Sequence, residues 1–208
     1  MVNTLDEQLV RTALRLLDDG PAEQLSLRQV AQELGVSHQA PYVHFASKKR
    51  FLAAVAGTGL QQAGAEAVAA LAEAGDDPLR RLHVFADAYI TFIRARPHVH
   101  DLAYGPLVAK ADHPLLQQAA IAYWDLLHDT VARCQPVGVG EVEVLRRCAV
   151  TWGTVYGIAR LATLDQIPRS VPGDQRQLAH EAIGMLYQGW QADDPAHPAH
   201  RTANPHVI

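Results

Sequence analysis

The stretch Leu27–Lys48, LRQVAQELGVSHQAPYVHFASK, constrains the fold more than any other part of this chain. Apolar residues recur in it at helical spacing in two short runs, and the residues between the runs stop a helix. Ser26 is placed to cap the first run, with Gln29 three residues on, which is the S-x-x-Q capping-box spacing. Val30 and Leu34 lie one turn apart and give that helix an apolar face. Ala31 is small enough to let a second helix cross closely. Gly35 ends the helix, Val36 plugs the turn, and Ser37 is the expected cap of the next helix. Pro41 and Phe45, again four apart, are expected to turn inward. With Ser37 as the cap, Pro41 takes the fourth helical position, where its ring meets only the non-helical cap residue.

The helical period then sorts the second helix into faces. At roughly 100° per residue, Pro41 and Phe45 mark the buried side, and Gln39, Ala40 and Val43 lie opposite. A glutamine amide pairs bidentately with adenine, and small apolar groups touch the thymine methyl. His38, Tyr42 and His44 fall on the flanks, where phosphates run. This is the helix-turn-helix pattern, whose second helix enters a major groove. From Gln24 to Arg50 the chain carries Arg28, Lys48, Lys49 and Arg50 against the single acid Glu33, inside a protein of net charge -4. Phosphate contact needs a local basic patch, not a basic protein. The same apolar residues would serve a plain helical hairpin in some other bundle, so the pattern by itself leaves that reading open.

The run GVSHQAPYVHFASKKRFL, with the helix before it, resembles the DNA-binding region of the TetR family of transcriptional repressors. The resemblance rests on Gly35 in the turn, Tyr42, Phe45 three residues on, and Ser47-Lys48 opening a long helix. It covers about the first quarter of the chain. It implies a homodimer that binds a palindromic double-stranded operator and lets go when a small molecule occupies the C-terminal region. Residue by residue, it implies base or phosphate contacts from Arg28, Ser37, His38, Gln39, Tyr42, His44 and Lys48, to which the face analysis adds Ala40 and Val43.

With 208 residues, 49% of them apolar, the chain is long enough for a sizeable core and unlike a disordered polymer. Alanine, leucine and glutamine are frequent and β-branched runs are scarce, which favours helices. No apolar run reaches membrane length, and the start MVNTLDEQLV has no basic leader, so a cytoplasmic protein is expected. Cys134 and Cys148 lack metal-ligand spacing and read as reduced packing residues.

The punctuation predicts an all-α protein of about nine helices. The first runs over residues 5–17, with Thr4 as cap, Glu7 closing a capping box, and Leu5, Leu9, Ala13, Leu16 and Leu17 forming its apolar stripe. It completes a three-helix reading head. A helix opened by Ser47 continues through Phe51, Leu52, Val55 and Leu60; Gly57, Gly59 and Gly64 weaken it, and close packing is the preferred reason for them. Asp77-Pro78 opens the next, which ends before Pro97. Others are expected over 98–104, from Asp112 to about 135, over about 141–164, and from the cap Asp174, with Gln177, to about Trp190. The domain division expected is a DNA-binding domain over 1–47, an effector-binding and dimerisation domain over 48–190, and a flexible proline- and histidine-rich tail over 191–208.

No G-x-S-x-G elbow, phosphate loop or H-E-x-x-H occurs, so no enzyme is expected and no cofactor or metal is assigned; the histidines His98, His100, His197 and His200 read as ordinary residues. The second region is apolar with sparse aromatic and polar groups, the composition of a small-molecule site. Tyr89, Phe92, Tyr104, Trp124, His128, Trp152 and Tyr156 are the expected ligand-lining residues, with Tyr123 a further candidate; each also suits a core or dimer contact. The segment TWGTVYGIARL, 151–161, resembles the tryptophan-histidine-glycine subgroup of TetR ligand domains through Trp152 and Gly157, with Tyr156 where histidine is common. By that analogy the last two long helices form the dimer interface. Gly153 and Gly157 would admit close approach, and Ile183, Leu186, Tyr187 and Trp190 form an apolar stripe, facing either a partner or the chain's own core. A moderately apolar effector is expected. The alternatives are a DNA-binding activator without an effector, and an all-α enzyme.

Overall fold

The computed structural model describes residues 4–110 and 113–192. Among them are nine α-helices and no strand: α1 (Leu5–Asp19), α2 (Leu27–Leu34), α3 (Ala40–Phe45), α4 (Lys48–Ala72), α5 (Pro78–Ala95), α6 (Pro97–Tyr104), α7 (Pro114–Ala132), α8 (Glu141–Thr163) and α9 (Gln175–Ala192). None of these helices is long and apolar enough to cross a membrane. The expected start of α7 at Asp112, and the expected tail from residue 193 onward, lie outside the described residues. Two compact units result, Met1–Glu66 with Thr91–Trp124, and Ala67–Ile90 with Asp125–Ile208.

In the first unit, local capping chemistry sets the helix starts. Thr4 Oγ1 accepts from the Glu7 N–H at 3.3 Å, and the Glu7 carboxylate accepts from the Thr4 N–H at 3.2 Å, a complete capping box. Leu9, Ala13 and Leu17 of α1 are buried, as the stripe predicts, while Leu5 and Leu16 are half-buried. Ser26 Oγ accepts from the Gln29 N–H at 3.0 Å and starts α2. Gly35 closes α2 in the left-handed region (φ 71°), and the Val36 N–H reaches back to the Ala31 carbonyl at 2.9 Å. That six-to-one bond is the Schellman termination, and glycine adopts its backbone without Cβ strain.

One capping expectation fails. Ser37 does not cap α3: the helix begins at Ala40, its cap position is Gln39, and no side chain bonds its first turn. Pro41 is the reason. Its ring opposes a helical carbonyl four residues back, at Ser37, so the regular ladder cannot start that early. Instead the Ala40 N–H bonds the Ser37 carbonyl at 3.0 Å in a tight turn, and Pro41 occupies the second helical position. There its missing N–H has no helical acceptor to lose.

The glycines of α4 are contact positions. A Cβ on Gly57 would lie 3.0–3.2 Å from Leu115 and the Leu116 backbone, and one on Gly59 would lie 2.3 Å from Val99 Cγ1 of α6. α1 also packs on α2, α3 and α6.

In the second unit, Asp77 caps α5 through the Arg80 N–H at 2.6 Å. Asp174 caps α9 through the Gln177 N–H at 3.0 Å, and Gln177 Oε1 returns a bond from the Asp174 N–H at 2.8 Å. Arg147 of α8 is buried and fully engaged. Its guanidinium donates to Glu143 at 3.1 Å and to Gln135 at 2.7 Å, and lies over the Trp190 ring. That arrangement meets the cost of burying a cation, and the Arg147 bond holds the Glu143 carboxyl below its usual range. Both cysteines are buried and free; burial pushes Cys134 up to about 12 and Cys148 up to about 11, so neither is a nucleophile near neutral pH. The α9 stripe faces the chain's own core at its two ends, because Ile183 and Trp190 are buried; Leu186 and Tyr187 are half-buried.

Candidate nucleic-acid interface

α3 has only six residues, too few to hold a helix in water by itself, so tertiary contacts fix it. Pro41 is buried, and Phe45 meets Phe51 edge-on with ring centroids 5.0 Å apart. Such a pair contributes about 0.5–1.5 kcal/mol beyond burial. Ala46, in the left-handed region at φ 59°, closes the helix through its N–H to the Tyr42 carbonyl at 3.0 Å. Ser47 Oγ then accepts from the Arg50 N–H at 3.2 Å and starts α4 at once.

The inward side of α3 therefore carries Pro41 and Phe45, and the opposite side is open. Val43 is 79% exposed and Tyr42 50% exposed, so both side chains are open to a partner on that side. Gln39, His38 and Ser37 are exposed, and Ala40 is half-buried. Arg28 projects from α2 into solvent. Lys48 is exposed and donates from Nζ to the Glu23 carbonyl at 3.3 Å, so its charge has no carboxylate in that contact. His44 stands apart from the other flank residues: its Nδ1 pairs with the Asp6 carboxylate in the first turn of α1. Asp6 carries no sequence signal for this role, since 38 residues separate it from His44.

The seven residues expected to line a ligand cavity fall into separate groups. In the second unit Trp152 Nε1 donates to Tyr89 Oη at 2.9 Å, with Tyr89 buried. His128 pairs instead with Glu141 at 2.9 Å, and Tyr156 is 40% exposed on α8. In the first unit buried Phe92 meets the His100 ring at 5.6 Å, and His100 meets Tyr104 at 4.9 Å. Lys110 Nζ sits 4.5 Å over the Tyr104 ring. Burial raises the Tyr104 phenol and lowers the Lys110 ammonium from their ordinary values. Trp124 is half-buried, and Tyr123 is buried. A cavity of about 240 Å³ in this unit is lined by Arg50, Ala53, Ala54, His113, Pro114 and Leu115, none of them among the seven.

A short helix with an exposed edge, packed on α1 and α2, is thus followed at once by a helix that opens with Lys48, Lys49 and Arg50. Residues 9–55 match the family of bacterial regulatory proteins designated tetR, and residues 82–186 match the tetracyclin repressor-like C-terminal domain. The chain belongs to the TetR family. As a TetR-family member it is a DNA-binding transcriptional regulator with a helix-turn-helix. The tetracycline repressor protein class C of Escherichia coli is 46% identical over 50 residues, which are 24% of this chain and 23% of that relative's length. A protein of unknown function from Rhodococcus sp. RHA1 superposes with a TM-score of 0.78 at 30% identity, covering 90% of this chain and 95% of that one. A transcriptional regulator from the same source gives a TM-score of 0.65 at 26% identity, covering 89% and 97%. AibR, solved with isovaleryl coenzyme A and operator DNA, shares the fold at a TM-score of 0.59 and 16% identity, covering 88% and 97%.

Proposed function

We propose that this TetR-family protein is a ligand-released repressor that binds a palindromic operator as a homodimer. The observation that carries the reading is the exposed edge of α3, with Gln39, Tyr42 and Val43 in solvent beside Lys48. Gln39, Ala40 and Val43 read base edges; Arg28, Ser37, His38, Tyr42, His44 and Lys48 meet the backbone. Residues 1–47 form the DNA-binding domain, 48–190 the effector and dimerisation domain, and 191–208 a tail. Fragments selected from randomised duplex DNA test the reading: a palindromic consensus supports it, and recovery of no enriched sequence refutes it. In the same selection Gln39→Ala relaxes the preference at one position of each half-site, a discrimination of about 1–3 kcal/mol. An unchanged profile removes Gln39 from base reading.

Dimerisation runs through α8 and α9. Val142, Leu145, Val150, Tyr156, Leu161 and Leu164 leave an exposed apolar stripe along α8, and Met185 of α9 is 71% exposed. A Cβ on Gly153, Gly157 or Gly184 would meet nothing within 4 Å in the single chain, which is what a face awaiting a close partner helix requires. Gly153→Lys is therefore expected to fold normally and to sediment as a monomer where the parent is a dimer. A dimeric Gly153→Lys protein would place the interface elsewhere.

The hydrogen-bonded Tyr89 and Trp152 supply a polar point on an apolar wall for a moderately apolar effector. Trp152 and Gly157 support assignment to the tryptophan-histidine-glycine subgroup. Two reading heads meet successive major grooves when their helices stand about 34–36 Å apart. An effector that binds better to another spacing lowers the DNA-competent population, and only by its differential affinity for the two states.

A further inference from the structure

α3 has no side-chain cap at its start, and its inward anchors are buried Pro41 and half-buried Phe45. Those two fix which side faces inward, but they grip the helix near one line. The His44–Asp6 pair is the polar tie from the other end of α3 to α1. It also raises an electrostatic question. Asp6 is a carboxylate beside the face that DNA phosphates approach, with a side chain half-exposed to solvent. A carboxylate and a phosphate repel, and a neutral imidazole between them does nothing to offset this.

We propose that the Asp6–His44 pair, where α1 meets the recognition helix, takes up a proton when DNA docks, so that operator binding tightens as pH falls. The proposal rests on DNA meeting the exposed edge of α3. The imidazolium bridges two anions, the Asp6 carboxylate and a backbone phosphate, whereas the neutral ring serves one at most. Bound DNA therefore favours the protonated form, and by linkage the form with more bound protons gains affinity in acid. Histidine is the side-chain type whose charge changes between about pH 5 and 8, so affinities are compared at pH 6.0 and 8.0.

The neighbouring charges do not replace His44 in this role. Glu7 of α1 is turned back on the Thr4 N–H. The other ionisable residues are Arg28 and Glu33 of α2 and Lys48, Lys49 and Arg50 of α4, residue types that ordinarily keep one charge state between about pH 6 and 8. Lys48 is held against the Glu23 carbonyl. His38, exposed in the turn before α3, is the other histidine on this edge among the described residues, and it is separable by substitution.

The test measures affinity for a duplex selected from randomised DNA, at pH 6.0 and 8.0 and fixed salt, for the full chain and three variants. The parent binds about three- to tenfold tighter at pH 6.0, within the ceiling of about a hundredfold that one linked proton allows over two pH units. His44→Gln loses that difference and binds at both values as the parent does at pH 8.0. Asp6→Asn removes the repelling charge and holds at pH 8.0 the affinity that the parent reaches only at pH 6.0. His38→Gln keeps the parent's difference. A merely structural pair would lower affinity equally at both pH values in His44→Gln and Asp6→Asn, which overturns the proposal. A flat parent profile, or a slope that survives in His44→Gln and vanishes in His38→Gln, also overturns it while leaving DNA docking intact. Failure of the parent to bind any selected duplex refutes the docking reading itself.

Discussion

Gly59→Leu is expected to lower stability by about 3 kcal/mol, the upper end of what overpacking costs. For a chain of this size that is a fall in Tm of about 6–12 °C by calorimetry. The cause is specific to one crossing. A Cβ on Gly59 would sit 2.3 Å from Val99 Cγ1 and 3.2 Å from Leu14 Cδ2, so α4 admits no side chain there without displacing α6 and α1. Val99 is 1% exposed and β-branched, with one favoured rotamer in a helix, so it has nowhere to turn. Gly64 supplies the internal control. It lies in the same helix, but its Cβ would meet only the Tyr123 ring at 3.6 Å, an ordinary contact. Gly64→Ala is expected to leave stability unchanged or raise it by up to about 1 kcal/mol, the helix-propensity gain. A Gly59→Leu protein that melts with the parent would mean that α4 and α6 do not cross at Gly59.

The second large effect is on DNA. On the proposed docking, Tyr42→Ala and Lys48→Ala are each expected to remove a hydrogen bond to a charged phosphate, about 1.5 kcal/mol or roughly tenfold in affinity. Together they are expected to weaken operator binding about a hundredfold, if the two contacts are independent. Lys48→Ala also reduces the salt dependence of binding by about one unit of slope, because one fewer counterion is displaced. Both side chains are exposed, so melting stays within about 0.5 kcal/mol of the parent. Gel shifts across a salt series read both quantities. A doubly substituted protein that binds like the parent would remove this edge of α3 from DNA docking.

What was legible in the sequence was local. The caps at Thr4, Ser26, Asp77 and Asp174 all bond where their spacing indicates, because a cap oxygen and the N–H that donates to it lie within three residues. The face of α3 followed from the helical period, with Pro41 and Phe45 inward and Val43 outward. Ser37 does not cap α3, because the steric demand of Pro41 outweighs serine's preference for that position. The aromatic residues of the second region were recognisable by type, but type carries no distance. Tyr89 and Trp152 meet across 63 residues of chain, while Phe92 and Tyr104 gather around His100, which had been set aside as ordinary.

By itself the amino-acid order determined where helices begin and end, that Gly35 turns the chain, and which side of the short second helix is greasy. Those outcomes depend on backbone hydrogen bonds and caps that act over five residues or fewer. Tertiary structure decided the rest. It made Gly57 and Gly59 points of contact and left Gly153 and Gly157 open, although all four are helical glycines. It turned Ile183 and Trp190 toward their own core and joined His44 to Asp6. Each of these depends on which distant segment arrives against a helix face, a matter of packing volume and charge between residues that are not neighbours in the chain.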